Sequence, residues 1–433
     1  MTDKRPNVLV FVSHDTGRHF GCYGIEEVHT PNIDRLADEG VRFTSFYATA
    51  ANCSPSRAAM FSGLYPPANG VMGLVHSPWH WSYKPEVRHL SAWFRDAGYR
   101  TAAAGIVHES HRIMEELSFD DHVEGNRASE VASRVPAKLR ELACKDAPFY
   151  LQIGTFETHT PFLRDGIEPD DADGTYVPPL FEPTETAREA FAGLQGSARR
   201  LDECVGSVLA ALDETGLADN TIVVFTVDHG IPFPRAKTYL YDAGIGTALI
   251  MRWPSGCVSA GERCDRLLSN VDLAPTLLDL AGRSVPEEMQ GRSFAELVRT
   301  PSAASGRDAV FALHLGMAGG RNARCIRTER WKLIRNFSPS RIIPVPVTIE
   351  NPTPSNIGPG SETPLVELYD LDTDPLEVDN LAADPEYADV VADLSRRLRD
   401  HCDRVGDTII REPTRWPYYE TSVQDWCATT RSD

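Results

Sequence analysis

The apolar positions of this chain fall into a few short, unbroken runs. Asn7 to Val12 reads Asn-Val-Leu-Val-Phe-Val, and Thr221 to Val227 reads Thr-Ile-Val-Val-Phe-Thr-Val. Neither alternates between apolar and polar. A strand that is apolar at every position is covered on both faces, which is the condition of a central parallel strand. Phe149 to Gly154 is a third such run, and Arg100 to Ala104 starts another. Helical patterns separate them: Thr30 to Gly40, with Pro31 at its start and a glycine stop, then Leu90 to Ala97, and a long one from Ala187 to Thr215. Strands alternating with helices predict an α/β fold, a large, mainly parallel sheet flanked by helices on both faces.

The pattern changes near residue 300. Arg299 to Arg307 (Arg-Thr-Pro-Ser-Ala-Ala-Ser-Gly-Arg) reads as a linker. Beyond it the apolar runs shorten, at Ala323 to Ile326 and Trp331 to Ile334. A proline-rich loop follows from Ile343 to Pro364, and a helical pattern from Tyr387 to Val405. The expected division is a large unit over 1–303 and a smaller one over 304–433. Residues 163 to 185, rich in Asp, Pro and Gly, read as a long surface excursion.

Composition narrows the class. The 433 residues exceed one ordinary core, and a hydrophobic content of 42% is that of a soluble globular chain. No stretch approaches the apolar length of a membrane span. Met1 to Pro6 leads into the first strand without a secretory hydrophobic segment, so the chain reads as cytoplasmic. Nine scattered cysteines, an odd number, fit a reducing compartment better than a disulfide framework. The formal net charge of −19 argues against nucleic acid and anionic membranes as partners. Any anionic ligand has to be drawn in by a local basic pocket. The sequence leaves the oligomeric state open, a homo-oligomer included.

Candidate chemistry gathers where the runs end. His14-Asp15 follows the first, His108 the Arg100 run, His159 the Phe149 run, and Asp228-His229 the Thr221 run. Sites in α/β sheets assemble at the carboxyl ends of the strands. Four equivalent ends carrying metal-type or proton-transfer side chains point to one constellation. A nucleophile candidate lies among them in Ala51-Asn52-Cys53-Ser54-Pro55-Ser56-Arg57-Ala58-Ala59-Met60-Phe61-Ser62-Gly63. Ser54 is the expected N-cap of a helix, with Pro55 at its first position and Gly63 closing it. Cys53 would then stand just outside a helix N-terminus, where backbone N–H groups and the dipole favour an anion. Arg57, one turn further in, would reach back as a forked cationic donor.

Cys53-Ser54-Pro55-Ser56-Arg57, followed by Ser62-Gly63-Leu64-Tyr65-Pro66, resembles the signature of the type I sulfatases, and further matches run through most of the chain. The resemblance implies an alkaline-phosphatase-like catalytic unit and a small C-terminal antiparallel sheet with one helix. It implies that a separate maturation enzyme, a formylglycine-generating or sulfatase-maturating enzyme, oxidises Cys53 to formylglycine, the catalytic aldehyde. It also implies one divalent metal, calcium by family default, held by position 53 with Asp15, Asp228 and His229. His14 stands where most relatives carry a first aspartate. As a ligand it would tilt the site toward manganese or zinc; turned away, it would leave Asp15 alone. His108 matches the histidine of a Gly-Lys-x-His segment whose lysine is Ile106 here. His159 matches a sulfate-contacting histidine, and Lys237 a lysine or arginine that binds sulfuryl oxygens. By itself Lys237 reads equally well as a solvated loop lysine. In the implied reaction hydrated formylglycine attacks sulfur, while metal, Lys237, His159 and the helix end share the developing charge. His159 or His229 protonates the leaving atom, and His108 takes the proton whose loss releases sulfate.

Within the family the sulfamidase branch fits best. The matching pieces are Asp228 to Pro234, Thr238-x-Leu240-Tyr241, Asn69-Gly70 with Gly73-Leu74, His76 and His80, and Leu333 to Phe337. The implied substrate is a small N- or O-sulfated compound, N-sulfoglucosamine foremost. Ile231 to Pro234 would wall the pocket with apolar groups, and His76 and His80 would approach from another side. Two other readings stand beside this one. A phosphodiesterase or phosphonate monoester hydrolase of the same superfamily shares the Asp-His pair and the Cys-x-Pro-x-Arg core. The departures at Ile106 and His14 favour a non-catalytic, anion-binding relative.

Overall fold

The computed structural model describes residues 5–256, 260–316, 322–338, 343–350 and 363–408. The larger sheet contains β1 (Asn7–Ser13), β2 (Val41–Tyr47), β3 (Arg100–Gly105), β4 (Asp121–Val123), β5 (Phe149–Gly154), β6 (Thr221–Val227), β7 (Gly246–Arg252), β8 (Glu262–Cys264) and β9 (Leu268–Ser269). Their order is β4-β3-β5-β1-β6-β7-β2-β8, with β9 also on β2. Among these strands only β7 runs against its neighbours.

The unbroken apolar runs are explained by the two faces of β1. Leu9 and Phe11 enter one core, with Ile33 and Leu36 of helix α1 (Pro31–Asp38) and with the Ala128–Ala143 and Glu185–Glu214 helices. Val8, Val10 and Val12 enter the other, with Met60 and Phe61 of α2 (Cys53–Ser62) and Leu273, Leu277 and Leu278 of the Leu273–Leu280 helix. β6 divides in the same way, Ile222 and Val224 to one core, Val223, Phe225 and Val227 to the other. These side chains are almost fully buried, so truncating one of the large ones to alanine costs roughly 2–5 kcal/mol.

The second sheet is antiparallel, β10 (Val310–Leu315), β11 (Asn322–Arg327), β12 (Trp331–Asn336) and β13 (Val366–Asp370) in that order. One face packs Ile326, Leu333 and Leu368 on Leu394, Leu398 and Cys402 of the Ala388–Val405 helix. The other shares a core with the larger unit, Cys325, Ile334 and Tyr369 lying in one cluster with Tyr47, Phe181 and Phe233. Leu313 of β10 bridges to Ala50, three residues before Cys53, so the small sheet braces the approach to α2. The surface excursion holds as irregular chain from 163 to 184 with one bridge at Phe181. Of the proline-rich loop, residues 351–362 lie outside the described residues. Among the described residues no helix is long and apolar enough to cross a membrane.

Candidate active site

Four adjacent strands, β3, β5, β1 and β6, run parallel and end flush: Gly105 pairs with Gly154, Val12 with Gly154, and Ser13 with Val227. Their ends deliver His108, His159, His14-Asp15 and Asp228-His229 to one edge. Backbone bonds continue past the strands and lock the loops together. His14 N donates to Glu157 O at 3.2 Å, Thr158 N to His14 O at 3.1 Å, and Asp228 N to Ser13 O at 3.3 Å. Asp15 has φ 53°, a left-handed conformation that aspartate tolerates better than most residues. Behind His108, buried Glu109 is 3.4 Å from His89 Nε2 and accepts from Gln152 of β5, which anchors that loop.

Helix α2 closes the constellation, but not with the cap its sequence suggests. Cys53 is its first residue and Asn52 its N-cap, with Asn52 Oδ1 accepting from Cys53 N at 3.1 Å. Ser54 lies inside the first turn, where its hydroxyl accepts from Val75 N. Asn52 competes better because its longer side chain turns back on the first free N–H of the helix. Gly63 does end the helix, at φ 68°. Ser56 donates to Asp228 O and accepts from Asn270 Nδ2, fixing the helix against β6. Arg57 does not reach back to Cys53. Its Nε donates to Asp228 Oδ2 at 3.0 Å and its Nη2 to Ser13 O at 3.2 Å.

The result is a buried, charge-dense cluster. Cys53 Sγ is 3.2 Å from His229 Nε2 and 3.8 Å from Asp15 Oδ1. Lys237 Nζ donates to Asp15 Oδ2 at 2.6 Å and lies 3.2 Å from His159 Nε2. Asp228 Oδ1 accepts from the backbone N–H groups of Asp15 and His229. His14 turns inward, its Nδ1 2.9 Å from Asp228 Oδ2 and 3.8 Å from Asp15 Oδ1, but out of alignment for a hydrogen bond. This excludes the arrangement in which His14 points away. Ligand atoms of His14, Asp15, Cys53 and Asp228 all lie within 4.8 Å of one another, a donor set of a size to hold one cation. His229 Nε2 faces the same set, 3.0 Å from Asp15 Oδ1, 3.2 Å from Cys53 Sγ and 3.8 Å from Asp228 Oδ1.

Protonation follows from these contacts. Burial, Asp15 and Asp228 oppose ionisation of Cys53, but Lys237 and His229 outweigh them, and the thiol is held well below its usual range. Burial also works against charge on Asp15 and Asp228, yet Lys237 for the first, and His14, His229 and Arg57 for the second, keep both ionised. Burial and Arg57 oppose a charge on His14, while Asp228 and Asp15 lift its pKa to about 10. Burial likewise resists charge on His229, and Asp228 and Asp15 raise it well above the usual value. His159 moves the other way, lowered by burial and by Lys237.

The remaining expected residues divide. His76 joins the site, with its Nδ1 3.1 Å from His108 Nε2 and the two rings stacked at 5.3 Å. His80 does not; it is exposed, and its part in the site is limited to opposing protonation of His76 at a distance. The Ile231 to Pro234 segment divides, with Ile231 lining a cavity beside Gly17, Tyr47 and Tyr241 and Phe233 turned into a core. Phe233 is buried and stacked on Phe191 at 4.3 Å, so the segment anchors the loop that carries Lys237. Lys237 N bonds to Ile231 O, and Thr238 N to Ala51 O. Three participants escaped the sequence reading: Asn52, Asn270 and Phe156. Phe156 had a signal, since it lies three residues before His159 on the same strand-end loop.

Residues 6–283 match the family described as Sulfatase, and residues 233–343 match that described as N-sulphoglucosamine sulphohydrolase, C-terminal. A ulvan-active sulfatase of Formosa agariphila is 28% identical over 469 residues, covering 93% of this chain and 76% of that protein. The human N-sulphoglucosamine sulphohydrolase is 26% identical over 453 residues, covering 90% and 89%. Among solved structures, one of a protein in complex with its substrate D-glucosamine-2-N,6-O-disulfate superposes with a TM-score of 0.74 at 20% identity, over 94% of this chain and 99% of the other. With the first of these matches spanning well over half its length and including every strand end of the site, the chain belongs to the sulfatase family.

Proposed function

We propose that this chain is a formylglycine-dependent sulfatase that cleaves a sulfate ester or sulfamate of a small sulfated sugar, with N-sulfoglucosamine the leading candidate. The observation that carries the reading is the buried Cys53 side chain at the first position of α2, facing Lys237, His229 and Asp15 across the ends of four adjacent parallel strands. The human relative and the C-terminal family match support the sulfamate choice. Residues 1–303 are read as the catalytic unit and 304–433 as the smaller one.

His14, Asp15, Asp228 and position 53 would hold the divalent metal. The buried Nδ1 of His14, close to two carboxylates but bonded to neither, fits a nitrogen ligand. A nitrogen in the set favours manganese or zinc over calcium, which prefers oxygen throughout. Metal and formylglycine would supply Lewis acidity and the attacking oxygen. The other roles belong to the side chains. Lys237 binds sulfuryl oxygen beside Asp15, and the N-terminal N–H groups of α2 add positive potential. Arg57 positions Asp228 through its Nε.

His159 and His229 are not equivalent as acids. His159 presents Nδ1 to Thr160 O at 2.7 Å and Nε2 to Lys237 Nζ, an arrangement that suits one proton on Nδ1 and an acceptor at Nε2. His229 faces acceptors with both nitrogens, Gly230 O at 3.0 Å and Asp15 Oδ1 at 3.0 Å, so it holds two protons. His229 is therefore the donor to the leaving nitrogen or oxygen, and His108, backed by His76, the base.

The first test is the mass of the peptide containing Cys53 from protein made with a maturation enzyme, which should fall by about 18 Da as thiol becomes aldehyde. That protein is then assayed on N-sulfoglucosamine, glucose 6-sulfate, an aryl sulfate and an aryl phosphodiester. Sulfate release from the aryl ester alone would reduce the assignment to a plain sulfatase. Faster cleavage of the phosphodiester would transfer it to the phosphodiesterases. An unconverted, inactive protein would leave an anion-binding relative.

A further inference from the structure

The half-buried ring of Phe156 lies against both the reactive cluster and two cations. Its centroid is 4.9 Å from that of His159 and 6.3 Å from that of His14. Over the same ring lie two guanidiniums, Arg127 with Cζ at 4.5 Å and Arg164 with Cζ at 5.1 Å. Arg127 is committed elsewhere, 2.8 Å from Asp165 and 3.9 Å from Glu157. Arg164 is exposed, and among the described residues no ion pair engages it.

This ring also stands at the partly exposed edge of the cluster. Asp15, Asp228 and His229 are fully buried, whereas His159 is 29% exposed and Ile106, His108 and Phe156 are half-buried. Phe156 is thus one of the partly exposed groups that border the buried cluster. The chain carries a net charge of −19 and lacks a cation at Ile106, so attraction for an anion has to be local. Solvent salt screens the distant charges within roughly 8–10 Å. The inner cation, Lys237, is used on the sulfuryl group that is cleaved. Arg164 lies over the Phe156 ring, which also packs on His159, and among the described residues it has no ion pair.

We infer that Arg164, supported by Arg127, binds a second anionic group of the substrate, and that the enzyme prefers doubly charged monosaccharide units. The second group is an oxyanion, a carboxylate or another sulfate, on the same sugar as the reacting group. The inference rests on the sulfatase reading above. It assigns selectivity for charge to the Phe156–Arg164 rim, outside the catalytic cluster.

The test compares kcat/KM for glucosamine N,6-disulfate and for a sulfated glucuronic acid, each against N-sulfoglucosamine and an aryl sulfate, in wild type, Arg164→Gln and Arg164→Lys. All proteins carry confirmed formylglycine. The wild type should favour the doubly charged sugars. Arg164→Gln should lower that preference about tenfold, the loss of one charge-assisted contact, and Arg164→Lys should restore most of it. A drop confined to one doubly charged sugar identifies carboxylate or sulfate as the second group. An unchanged preference, or an equal loss on singly and doubly charged compounds, overturns the inference. Should wild type release no sulfate from any compound, the sulfatase reading fails separately. Calorimetric binding of the disulfate to Cys53→Ala, with and without Arg164→Gln, then decides: about tenfold weaker binding sustains the subsite, and equal binding removes it.

Discussion

Lys237 donates to Asp15 at 2.6 Å across 222 positions of chain, and that pair holds the reactive end of the site together. After burial, Lys237 is the strongest influence on Cys53 and the one that favours its anion. In unconverted protein, Lys237→Met should raise the thiol pKa. The measurement is ultraviolet thiolate absorbance against pH, taken as the difference from Cys53→Ala. In converted protein the same change should lower kcat by about 10²–10³-fold, as for loss of one oxyanion donor. A thiolate titration that does not move would detach Lys237 from the nucleophile.

Asp228 carries more of the scaffold than any other acid of the cluster. It accepts from two backbone N–H groups and from Arg57, and it faces His14. Asp228→Ala should abolish metal binding on elemental analysis and leave a fully buried guanidinium without its carboxylate. The stability loss should be about 3–5 kcal/mol by urea denaturation. Unaltered metal content would count against the proposed ligand set.

Cys53→Ala removes a small side chain at the head of an already capped helix. The cost should be about 1 kcal/mol, with circular dichroism close to wild type, while sulfate release falls below detection. Full activity in this variant would remove the central claim.

Acid sensitivity should come partly from histidines remote from the site. Burial lowers His19 from 6.5 to about 3, and burial, Arg404 and Arg307 lower His401 to about 3. His401 is stacked on Phe311 and set edge-on to Tyr65. The unfolded chain binds protons at these rings between pH 3 and 6.5, and the folded chain does not. Stability therefore rises with pH through that window and is fully present above 6.5. Each ring contributes up to about 1.4 kcal/mol per pH unit. His401→Phe should flatten the slope by about one histidine's share in urea melts between about pH 4.5 and 6. An unchanged slope would show that His401 is accessible to protons in the folded state.

The strands that carry the site were legible because burial on both faces leaves no alternative to a continuous apolar run, as β1 and β6 show. The residues that follow those runs were legible for the same reason, since flush parallel strands bring His14, His108, His159 and Asp228 to one edge. What depended on loop packing was not. Asn52 displaced Ser54 as cap because of where its amide turns, and Phe233 went into a core because Phe191 lay opposite. His80 sits in a turn whose direction no local pattern specifies. The rim formed by Phe156, Arg127 and Arg164 joins two segments whose approach is set by tertiary packing alone.

All ten residues of α2 are buried, Cys53 among them. A folded molecule thus offers no route by which another protein could grip this segment and oxidise its first side chain. If Cys53 is converted as proposed, maturation and folding are rivals in time: conversion has to be finished while Ala51 to Gly63 is still a free strand of chain, before Asn52 caps the helix and Asn270 clasps Ser56. Slowing synthesis, or delaying the docking of α2, should raise the fraction converted, and molecules that fold first are locked out for as long as they stay folded.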